Sequence, residues 1–525
     1  MSRILITDSL ETSGIEKLRE SGAAVDVLSE EDRPRLVEII DGYDALVVRS
    51  ATKVTRDLLS AAGSLRVVGR AGIGVDNIDV AAATERGVLV VNSPTANLLS
   101  ATEHTFALLL ALARRVVDAD RSLKAGTWDR KSHVGVELYG KTLGIIGFGQ
   151  IGQRVAQRAR AFEMEVLAYD PFLNAEVARG LDVEPVETLE EMLPRIDALT
   201  FHTPLTDQTR NLLDRERLAL LKDTAMVVNC GRGGVIDEEA LLEALDAGRL
   251  GGAALDVFAQ EPPADYRLAA HPRVVATPHI GAQTHEAQER IATEIARMVI
   301  LALEGSLTVS AVNLPFRPAG TRGEPYLRLG ELLGRFASAM HRGSIDRVRV
   351  DLHGLDDALA VPVSVAALRG ALSPFLGEAV NYVNAEALAR ERAIELMRAT
   401  HPQSGEFAHL VSVRVRGARG EVEVAGTLSA DDRLRVVGLG GFRLEFQPEG
   451  LLLVLRNRDT PGVVGKVGTL LGDAGVNIAD IHLARRTGQD DAIAVLRLDN
   501  APDESCMEAL ESLDEVRRVD LVDLG

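Results

Sequence analysis

A glycine-rich turn in the first half of the chain has the residue types and spacing that accommodate phosphate groups. The segment Gly147-Phe148-Gly149-Gln150-Ile151-Gly152 directly follows the apolar run 143–147 and opens a stretch with apolar residues at helical spacing. In such a unit the first glycine allows a tight turn, the second lets backbone approach a pyrophosphate, and the third lets the helix pack on the sheet. The helix N-terminus also favours negative charge. We therefore predict a dinucleotide site here, against the alternative of an ordinary strand–turn–helix corner.

Asp170 stands at the end of the next apolar run, 166–169. A carboxylate at this point of the unit can accept hydrogen bonds from the adenosine ribose hydroxyls. It would repel a 2′-phosphate, and the following Pro171 and Phe172 supply no cation. The sequence therefore predicts NAD as the coenzyme rather than NADP.

Arg232, Glu261 and His279 each follow an apolar run farther along the chain. Ligands of open α/β sheets bind beyond the carboxyl ends of the strands, so the three side chains can converge there. A histidine can take a hydroxyl proton while a hydride leaves the carbon, and a carboxylate can orient the imidazole. A guanidinium can hold a substrate carboxylate by its fork of donors. Taken singly, each residue could be structural or solvated; together they suit hydride transfer at a 2-hydroxy acid.

Arg49 and Arg70 follow the apolar runs 45–48 and 67–68 in the N-terminal part of the chain. Two cations facing a cleft suit a phosphate group, which a simple carboxylate substrate lacks. The alternative is that both are surface arginines paired with acids, as most charged side chains are solvated.

Short apolar runs separated by helical segments place these residues at strand ends. Continuous apolar runs between helices are typical of parallel strands buried on both faces, and so of a doubly wound α/β fold. We predict two such units, one over the first ~95 residues and one over 98–283. The runs are 4–7, 45–48, 67–68, 88–91, 143–147, 166–169, 198–201, 226–229, 253–257 and 274–277.

The C-terminal half follows different patterns. Residues 284–304 have the spacing of a long helix that could return to the first unit, and 313–320 is predicted as a linker. Helices are expected near 326–341 and 384–398, and alternating residues over 411–447 predict an antiparallel sheet. Residues 451–525 suggest strand, helix, strand, strand, helix, strand.

Composition excludes several classes of partner. The 525 residues include 77 acidic against 58 basic side chains, for a net charge of −19. Binding of nucleic acid or of anionic membranes needs a basic face, so neither is expected. The two cysteines, Cys230 and Cys506, do not form a disulfide scaffold, which favours a reducing cytoplasm. We also expect no membrane span, because no stretch approaches about 20 apolar residues.

Together these motifs resemble the D-isomer-specific 2-hydroxyacid dehydrogenases over the first ~310 residues. The resemblance implies a substrate domain formed by 1–97 and 284–312, hinged on an NAD-binding domain of 98–283. It also implies that Arg232, Glu261 and His279 are catalytic. The positions it assigns to the coenzyme are Gly147, Gly149, Gln150, Ile151, Gly152, Asp170, Thr203, Cys230, Arg232, Asp256, His279, Gly281 and Ala282.

Within that family the chain most resembles the branch that oxidises 3-phospho-D-glycerate to 3-phosphohydroxypyruvate. The segments that carry this resemblance are 47–53, 69–77 and 93–97. It implies that Arg49, Arg70 and Asn97 contact the substrate. The stretch 128–131, around Trp128, resembles one that reaches a neighbouring subunit, and a helix predicted over about 99–124 is apolar enough for a dimer face. A homo-oligomer, dimer or tetramer, is therefore expected.

The last domain resembles the ACT amino-acid-binding domains. Asn457–Thr460 and 475–479 flank its first helix, and the match places Asp459 and Asn477 at positions that hold an effector, expected to be L-serine. A structural ACT dimeriser without ligand is the alternative. Residues 321–450 resemble the intervening domain of the family's long form, so with the preceding linker an intervening domain is expected over 313–450. The expected fold is thus α/β with two doubly wound Rossmann-like domains, then an α+β intervening domain and a ferredoxin-like ACT domain over 451–525.

Two rival functions remain. A hydroxypyruvate or glyoxylate reductase would share Arg232, Glu261 and His279, but would not explain the two phosphate-suited arginines. A non-enzymatic NAD-sensing protein, like corepressors built on this fold, would lack the long C-terminal half.

Overall fold

The N-terminal unit is a five-stranded parallel sheet with helices on its faces. The computed structural model describes residues 1–306, 310–317, 320–402, 405–486 and 490–525. The strand order is β2-β1-β3-β4-β5, and β3 is buried along its whole length, as its continuous apolar run predicts. The elements are β1 (Arg3–Ile6), α1 (Thr12–Glu20), β2 (Ala24–Val27), α2 (Leu36–Ile39), β3 (Ala45–Val48), α3 (Arg56–Ala61), β4 (Val67–Arg70), α4 (Val80–Glu85) and β5 (Leu89–Asn92).

The second unit is a seven-stranded parallel sheet in the order β12-β11-β10-β9-β6-β7-β8. The order reverses between β6 and β9, which is where doubly wound sheets bind ligands. The elements are α5 (Leu98–Ala113), α6 (Val116–Lys124), β6 (Thr142–Ile146), α7 (Gln150–Ala161), β7 (Glu165–Tyr169), α8 (Ala175–Gly180), β8 (Glu184–Pro185), α9 (Leu189–Met192), β9 (Ala198–Phe201), α10 (Arg215–Leu218), β10 (Met226–Asn229), α11 (Glu238–Asp246), β11 (Gly252–Leu255) and β12 (Val274–Ala276).

The helix α12 (His285–Leu303) brings the chain back to the first sheet. The Thr284 side chain accepts a hydrogen bond from the Ala287 N–H at 3.2 Å and so caps its N-terminus. Its apolar face joins the core beneath β4 and β5, where Ile295 and Val299 are fully buried. The segment after it stays attached, because Asn313 accepts from the Val90 N–H at 2.9 Å.

The intervening unit differs in part from the sequence-based expectation. Its six-stranded sheet, in the order β14-β13-β15-β16-β17-β18, is covered on one face by two long helices. Residues 395–398, expected to be the end of a helix, belong instead to the strand 395–401, which runs parallel to β13. Neither the strand 345–353 nor the helix 360–376 was predicted. The elements are α13 (Gly320–His341), β13 (Ile345–His353), α14 (Ala360–Leu376), α15 (Ala385–Glu391), β14 (Glu395–His401), β15 (Leu410–Gly417), β16 (Gly420–Leu428), β17 (Leu434–Leu439) and β18 (Phe442–Phe446).

The final unit has the predicted βαββαβ order, with antiparallel strands arranged β20-β21-β19-β22. It packs directly on the intervening unit: the buried Asp520 carboxylate lies 2.9 Å from Arg342, which directly follows α13, and 2.7 Å from Arg518. Burial raises the pKa of Asp520, although the two guanidinium groups oppose that shift. The elements are β19 (Leu451–Asn457), α16 (Val463–Asp473), β20 (Ile478–Arg485), β21 (Ala492–Leu498), α17 (Glu504–Glu511) and β22 (Val516–Asp523).

Two expectations about helices need correction. The segment 99–124 is two helices rather than one, because Arg115 adopts a left-handed conformation with φ of 50° between α5 and α6. The expectation that no stretch has the length and apolarity of a membrane span was also wrong, since Asp357–Ala379 has a mean hydropathy of 1.6. This segment contains α14, of which Val363–Leu368 are buried against α13 and the sheet. Its apolar character is that of a core helix.

Candidate active site

The glycine-rich turn has the geometry that each of its three glycines was expected to provide. Gly147 has a φ of 90°, in the left-handed region that favours glycine, and a side chain there would press on the His202 carbonyl oxygen. A Cβ on Gly152 would overlap the Gly147 carbonyl oxygen, so α7 packs tightly against the turn. A Cβ on Gly149 would meet no atom within 4 Å, so this backbone faces open space. The turn therefore leaves the first N–H groups of α7, which begins at Gln150 and continues through Ile151, facing an accessible surface.

Asp170 lies beside that turn. One carboxylate oxygen accepts a hydrogen bond from the Phe148 N–H and the other from the Phe172 N–H, each at 2.8 Å. The carboxylate is thus fixed at the end of β7, next to the N-terminus of α7. Its position fits recognition of ribose hydroxyls and leaves a negative charge where a 2′-phosphate would lie.

His279 and Glu261 form a hydrogen-bonded pair. The imidazole Nδ1 is 2.7 Å from Glu261 Oε2, and the other carboxylate oxygen accepts from the Phe258 N–H at 3.1 Å. Burial raises the pKa of Glu261, but the hydrogen bond and charge of His279 outweigh this and hold the pKa below its usual value. With Nδ1 engaged, Nε2 is the nitrogen left to exchange a proton with a ligand.

Asp256 organises the loop that carries His279. Its carboxylate accepts from the N–H groups of Ile280 and Gly281, both at 2.8 Å, and from the Thr277 hydroxyl at 2.6 Å. His279 has a φ of 52°, a left-handed conformation that is costly for a residue with a side chain, so these bonds hold a strained backbone. The coenzyme contact expected of Asp256 stays a prediction; the structure shows this carboxylate supporting the loop of the histidine.

His104 on α5 was not singled out in the sequence analysis. Its Nε2 lies 3.1 Å from Asp256 Oδ1 and 3.1 Å from the Thr277 hydroxyl. Burial raises the pKa of Asp256, but the hydrogen bonds of His104 and Thr277 more than compensate, so the carboxylate pKa is lowered. A histidine on an apolar helix gives no signal of such a role, because its partner is far away in the sequence.

The three predicted arginines form one cluster of positive charge. Burial, together with the nearby charges of Arg232 and Arg49, lowers the pKa of Arg70 to about 10. Among the described residues, the buried Nε of Arg70 has no hydrogen-bond partner. Arg232 donates from Nη1 to its neighbour Gly231 at 2.8 Å, and its Nε lies 3.3 Å from Asp76. A cluster of three cations with an unused buried donor suits a ligand with more than one negative charge.

The loop that carries Arg49 is fixed from both sides. The Asp8 carboxylate accepts from the N–H of Arg49 at 2.6 Å and from the Thr52 hydroxyl at 2.9 Å. From the opposite side the Asn77 amide donates to the carbonyl oxygens of Arg49 and Thr52, both at 2.6 Å. Asp8 was not identified from the sequence, although it follows β1 just as Arg49 follows β3.

The other predicted positions lie around this centre. The Thr203 N–H lies beside Gly147, and Cys230 is half-buried at the end of β10, where burial raises the pKa of its thiol to about 12. The Ala282 carbonyl accepts from Gln288 at 2.7 Å, just before α12. Asn97 precedes α5, and its Oδ1 is buried without a partner in the described part of the chain. No described contact joins Asn97 to the arginines.

The two predicted effector residues have separate partners in the isolated chain. Asp459 lies 3.6 Å from Arg485, and Asn477 donates to Asp499 at 2.6 Å. They flank the N- and C-terminal ends of α16, and both are on the surface. The structure therefore places them on loops at opposite ends of one helix, each already engaged by a neighbouring charged side chain.

Fold and site together define an NAD-dependent oxidoreductase of 2-hydroxy acids. Residues 106–281 match the family model of the D-isomer specific 2-hydroxyacid dehydrogenase NAD-binding domain. Residues 323–440 match the D-3-phosphoglycerate dehydrogenase intervening domain, and 451–515 match the ACT domain. Among solved structures, D-lactate dehydrogenase from Aquifex aeolicus with NAD and lactic acid is 29% identical, with a TM-score of 0.53. The match covers 58% of this chain and 96% of the other.

Two relatives match from end to end. The D-3-phosphoglycerate dehydrogenases of Methanocaldococcus jannaschii and Bacillus subtilis are each 40% identical to the chain, with 100% of both sequences covered. The chain belongs to the D-3-phosphoglycerate dehydrogenase family. It is an NAD-dependent 2-hydroxyacid dehydrogenase, and the predicted coenzyme and fold class are confirmed.

Proposed function

We propose that the protein oxidises 3-phospho-D-glycerate to 3-phosphohydroxypyruvate and supplies the first step of L-serine biosynthesis in the cytoplasm. The observation that carries this proposal is the cluster of Arg49, Arg70 and Arg232 at the cleft. The substrate has a phosphate at one end and a carboxylate at the other, so it needs more cations than an unphosphorylated 2-hydroxy acid. The names of the full-length relatives support the same reaction.

In this proposal Arg232 holds the substrate carboxylate, while Arg49, Arg70 and Asn97 hold the phosphate end. His279 Nε2 accepts the proton of the C2 hydroxyl as the C2 hydride departs, and Glu261 stabilises the imidazolium through its 2.7 Å contact with Nδ1. Asp256 keeps the histidine loop in place. Bound NAD would lie along Gly147–Gly152 and Asp170, and its nicotinamide supplies the hydride acceptor.

We further propose that the protein acts as a homo-oligomer and that L-serine regulates it through the ACT domain. Leu123 on α6 is 58% exposed and Trp128 is 79% exposed, so apolar surface lies next to the coenzyme domain. A second copy of the chain could cover it. The regulatory part rests on the ACT match and on the surface position of Asp459 and Asn477.

A substrate panel tests the reaction. We expect NADH to form with 3-phosphoglycerate, and reduction of 3-phosphohydroxypyruvate to exceed that of hydroxypyruvate and glyoxylate in kcat/KM. Arg49→Ala should lower kcat/KM for 3-phosphohydroxypyruvate much more than for hydroxypyruvate, since only the former carries phosphate. Arg56→Ala is the control, because Arg56 is exposed on α3 and pairs with Glu85 instead.

Preference for hydroxypyruvate or glyoxylate in the native protein would favour the reductase. Equal losses of kcat/KM for 3-phosphohydroxypyruvate and hydroxypyruvate in Arg49→Ala would show that Arg49 does not contact the phosphate. NAD binding without any turnover across the panel would favour a non-enzymatic NAD sensor.

A further inference from the structure

The guanidinium that is proposed to bind the substrate carboxylate already forms an ion pair with an acidic side chain. Asp76 lies on the loop between β4 and α4, and its Oδ2 is 3.3 Å from Nε of Arg232, which follows β10 in the second sheet. The contact therefore joins the two units across the cleft. No other cation forms an ion pair with Asp76 within the described ranges.

The loop is shaped around this guanidinium. A Cβ on Gly74 would overlap Arg232 Nη2 and would lie 2.6 Å from Asp76 Oδ2. Only a residue without a side chain lets the guanidinium approach the loop this closely. The Asp76 carboxylate and the loop thus fill the space directly in front of Arg232.

Arg232 does not need Asp76 to keep its orientation. Its Nη1 donates to the Gly231 carbonyl oxygen at 2.8 Å, within its own loop. The Asp76 side chain is 62% exposed and that of Arg232 is 27% exposed, so water screens the pair and its contribution is small. A weak ion pair at this place can be exchanged for another carboxylate at low cost.

We propose that Asp76 neutralises Arg232 in the free enzyme and that the substrate carboxylate displaces Asp76 from the guanidinium when it binds. This rests on the proposed function, because it assumes that Arg232 binds the substrate. The exchange keeps a third cation from standing unpaired beside Arg49 and Arg70 between turnovers. Its consequence is that Asp76 weakens the binding of every carboxylate ligand by the same factor and leaves the chemical step unchanged.

The test compares wild type with Asp76→Asn in the full-length protein. The amide keeps the shape but not the charge, so KM for 3-phosphohydroxypyruvate and for hydroxypyruvate should both fall by roughly two- to fivefold, the range of a screened ion pair, with kcat unchanged. Inhibition by inorganic phosphate, which has no carboxylate, should change less than either KM. Asp182→Asn is the matched control, since Asp182 pairs with Arg160 away from the cleft.

An increase in either KM would show that Asp76 orients Arg232 instead of competing for it, and unchanged KM values would show that the pair has no role in binding. If Asp76→Asn strengthened inhibition by inorganic phosphate as much as it lowered the KM values, the cause would be a general change in charge, and the proposed exchange would be wrong. If wild type does not reduce 3-phosphohydroxypyruvate at all, the proposed function fails first.

Discussion

The proposed acid/base residue His279 and the proposed substrate-binding residue Arg49 are both held in place by neighbouring side chains. Glu261 contacts the imidazole of His279, and Asp256 accepts a hydrogen bond from the backbone N–H of the residue that follows it. Asp8 and Asn77 fix the loop of Arg49 in the same way. Such support matters because a displacement of about 1 Å in a reacting group can cost about 10²-fold in rate.

The first prediction concerns the His279–Glu261 pair. His279→Ala should lower kcat by about 10²- to 10⁴-fold, the usual contribution of an acid/base group, with NADH affinity nearly unchanged. Glu261→Gln should move the alkaline limb of the reduction rate to lower pH, because the protonated imidazole loses its carboxylate partner and gives up its proton more easily. In wild type the lowered pKa of Glu261 keeps its charge present at neutral pH and removes it only in acid.

Stopped-flow rates of NADH oxidation across pH, with NADH binding followed by fluorescence, check both variants. Glu238→Gln is a control for loss of a nearby carboxylate, since Glu238 accepts from the Ala259 N–H and does not contact the histidine. A wild-type rate of NADH oxidation in His279→Ala would show that the histidine is not the acid/base group.

At the scale of elements, the parallel sheets could be predicted and the intervening unit only in part. Parallel strands are continuous apolar runs bounded by turns, and β3, β6, β9 and β10 all coincide with such runs. The helix α14 is apolar on all sides because α13 and the sheet enclose it, so it has no helical period to detect. Residues 395–401 contain helix-favouring Glu, Leu, Met and Arg, but pairing with β13 overrides that propensity.

The candidate site, like the intervening unit, could be predicted from the sequence only in part. The positions at strand ends followed from topology, so Arg49, Arg70, Arg232 and His279 could be named in advance. The supporting pairs could not, because the partners in Asp76–Arg232 and in His104–Asp256 are far apart in the sequence. The first pair depends on how the two units pack across the cleft, and the second on how α5 packs within the second unit.

The glycine turn gives a prediction that separates binding from stability. Gly149→Ala should leave the Tm nearly unchanged, because a Cβ there meets no atom within 4 Å, but should raise KM for NAD by blocking the approach of the pyrophosphate. Gly152→Ala should lower the Tm as well, because its Cβ would overlap the Gly147 carbonyl oxygen and push α7 away. Thermal unfolding with and without NAD checks the pair; equal Tm losses in both variants would contradict this division of roles.

At the scale of the whole molecule, the ACT and intervening units are packed as one body against the dehydrogenase. On one side Arg342, directly after α13, donates to the Val519 carbonyl oxygen at 3.0 Å and pairs with Asp520. On the other side the Asn381 amide donates to the Gly87 carbonyl oxygen, next to α4, at 2.7 Å. A change in the ACT unit therefore has a continuous packed route to the substrate domain.

The last prediction is feedback by L-serine through this route. Serine presents an ammonium and a carboxylate. Because Asp459 and Asn477 lie at opposite ends of α16, one serine can contact both only where two ACT units pair. Asp459 of one unit would then accept from the ammonium, and the Asn477 amide of the other, with nearby backbone N–H groups, would donate to the carboxylate. Serine should inhibit the native enzyme, and Asp459→Ala should abolish inhibition without changing activity in its absence. Coupling between such sites typically amounts to about 1–3 kcal/mol, or about 5- to 150-fold in affinity.

A point variant is the sharper experiment, because removal of the ACT unit would strip the buried partners from Arg342 and damage α13. Asp490→Ala is the matched control, since Asp490 is an exposed aspartate of the same unit that pairs with Arg517 at 3.9 Å. Calorimetry and initial rates at millimolar L-serine measure binding and inhibition separately. Binding of L-serine without inhibition would contradict coupling through Arg342 and Asn381. No heat and no inhibition in the wild type would instead indicate that the ACT unit is a structural dimeriser.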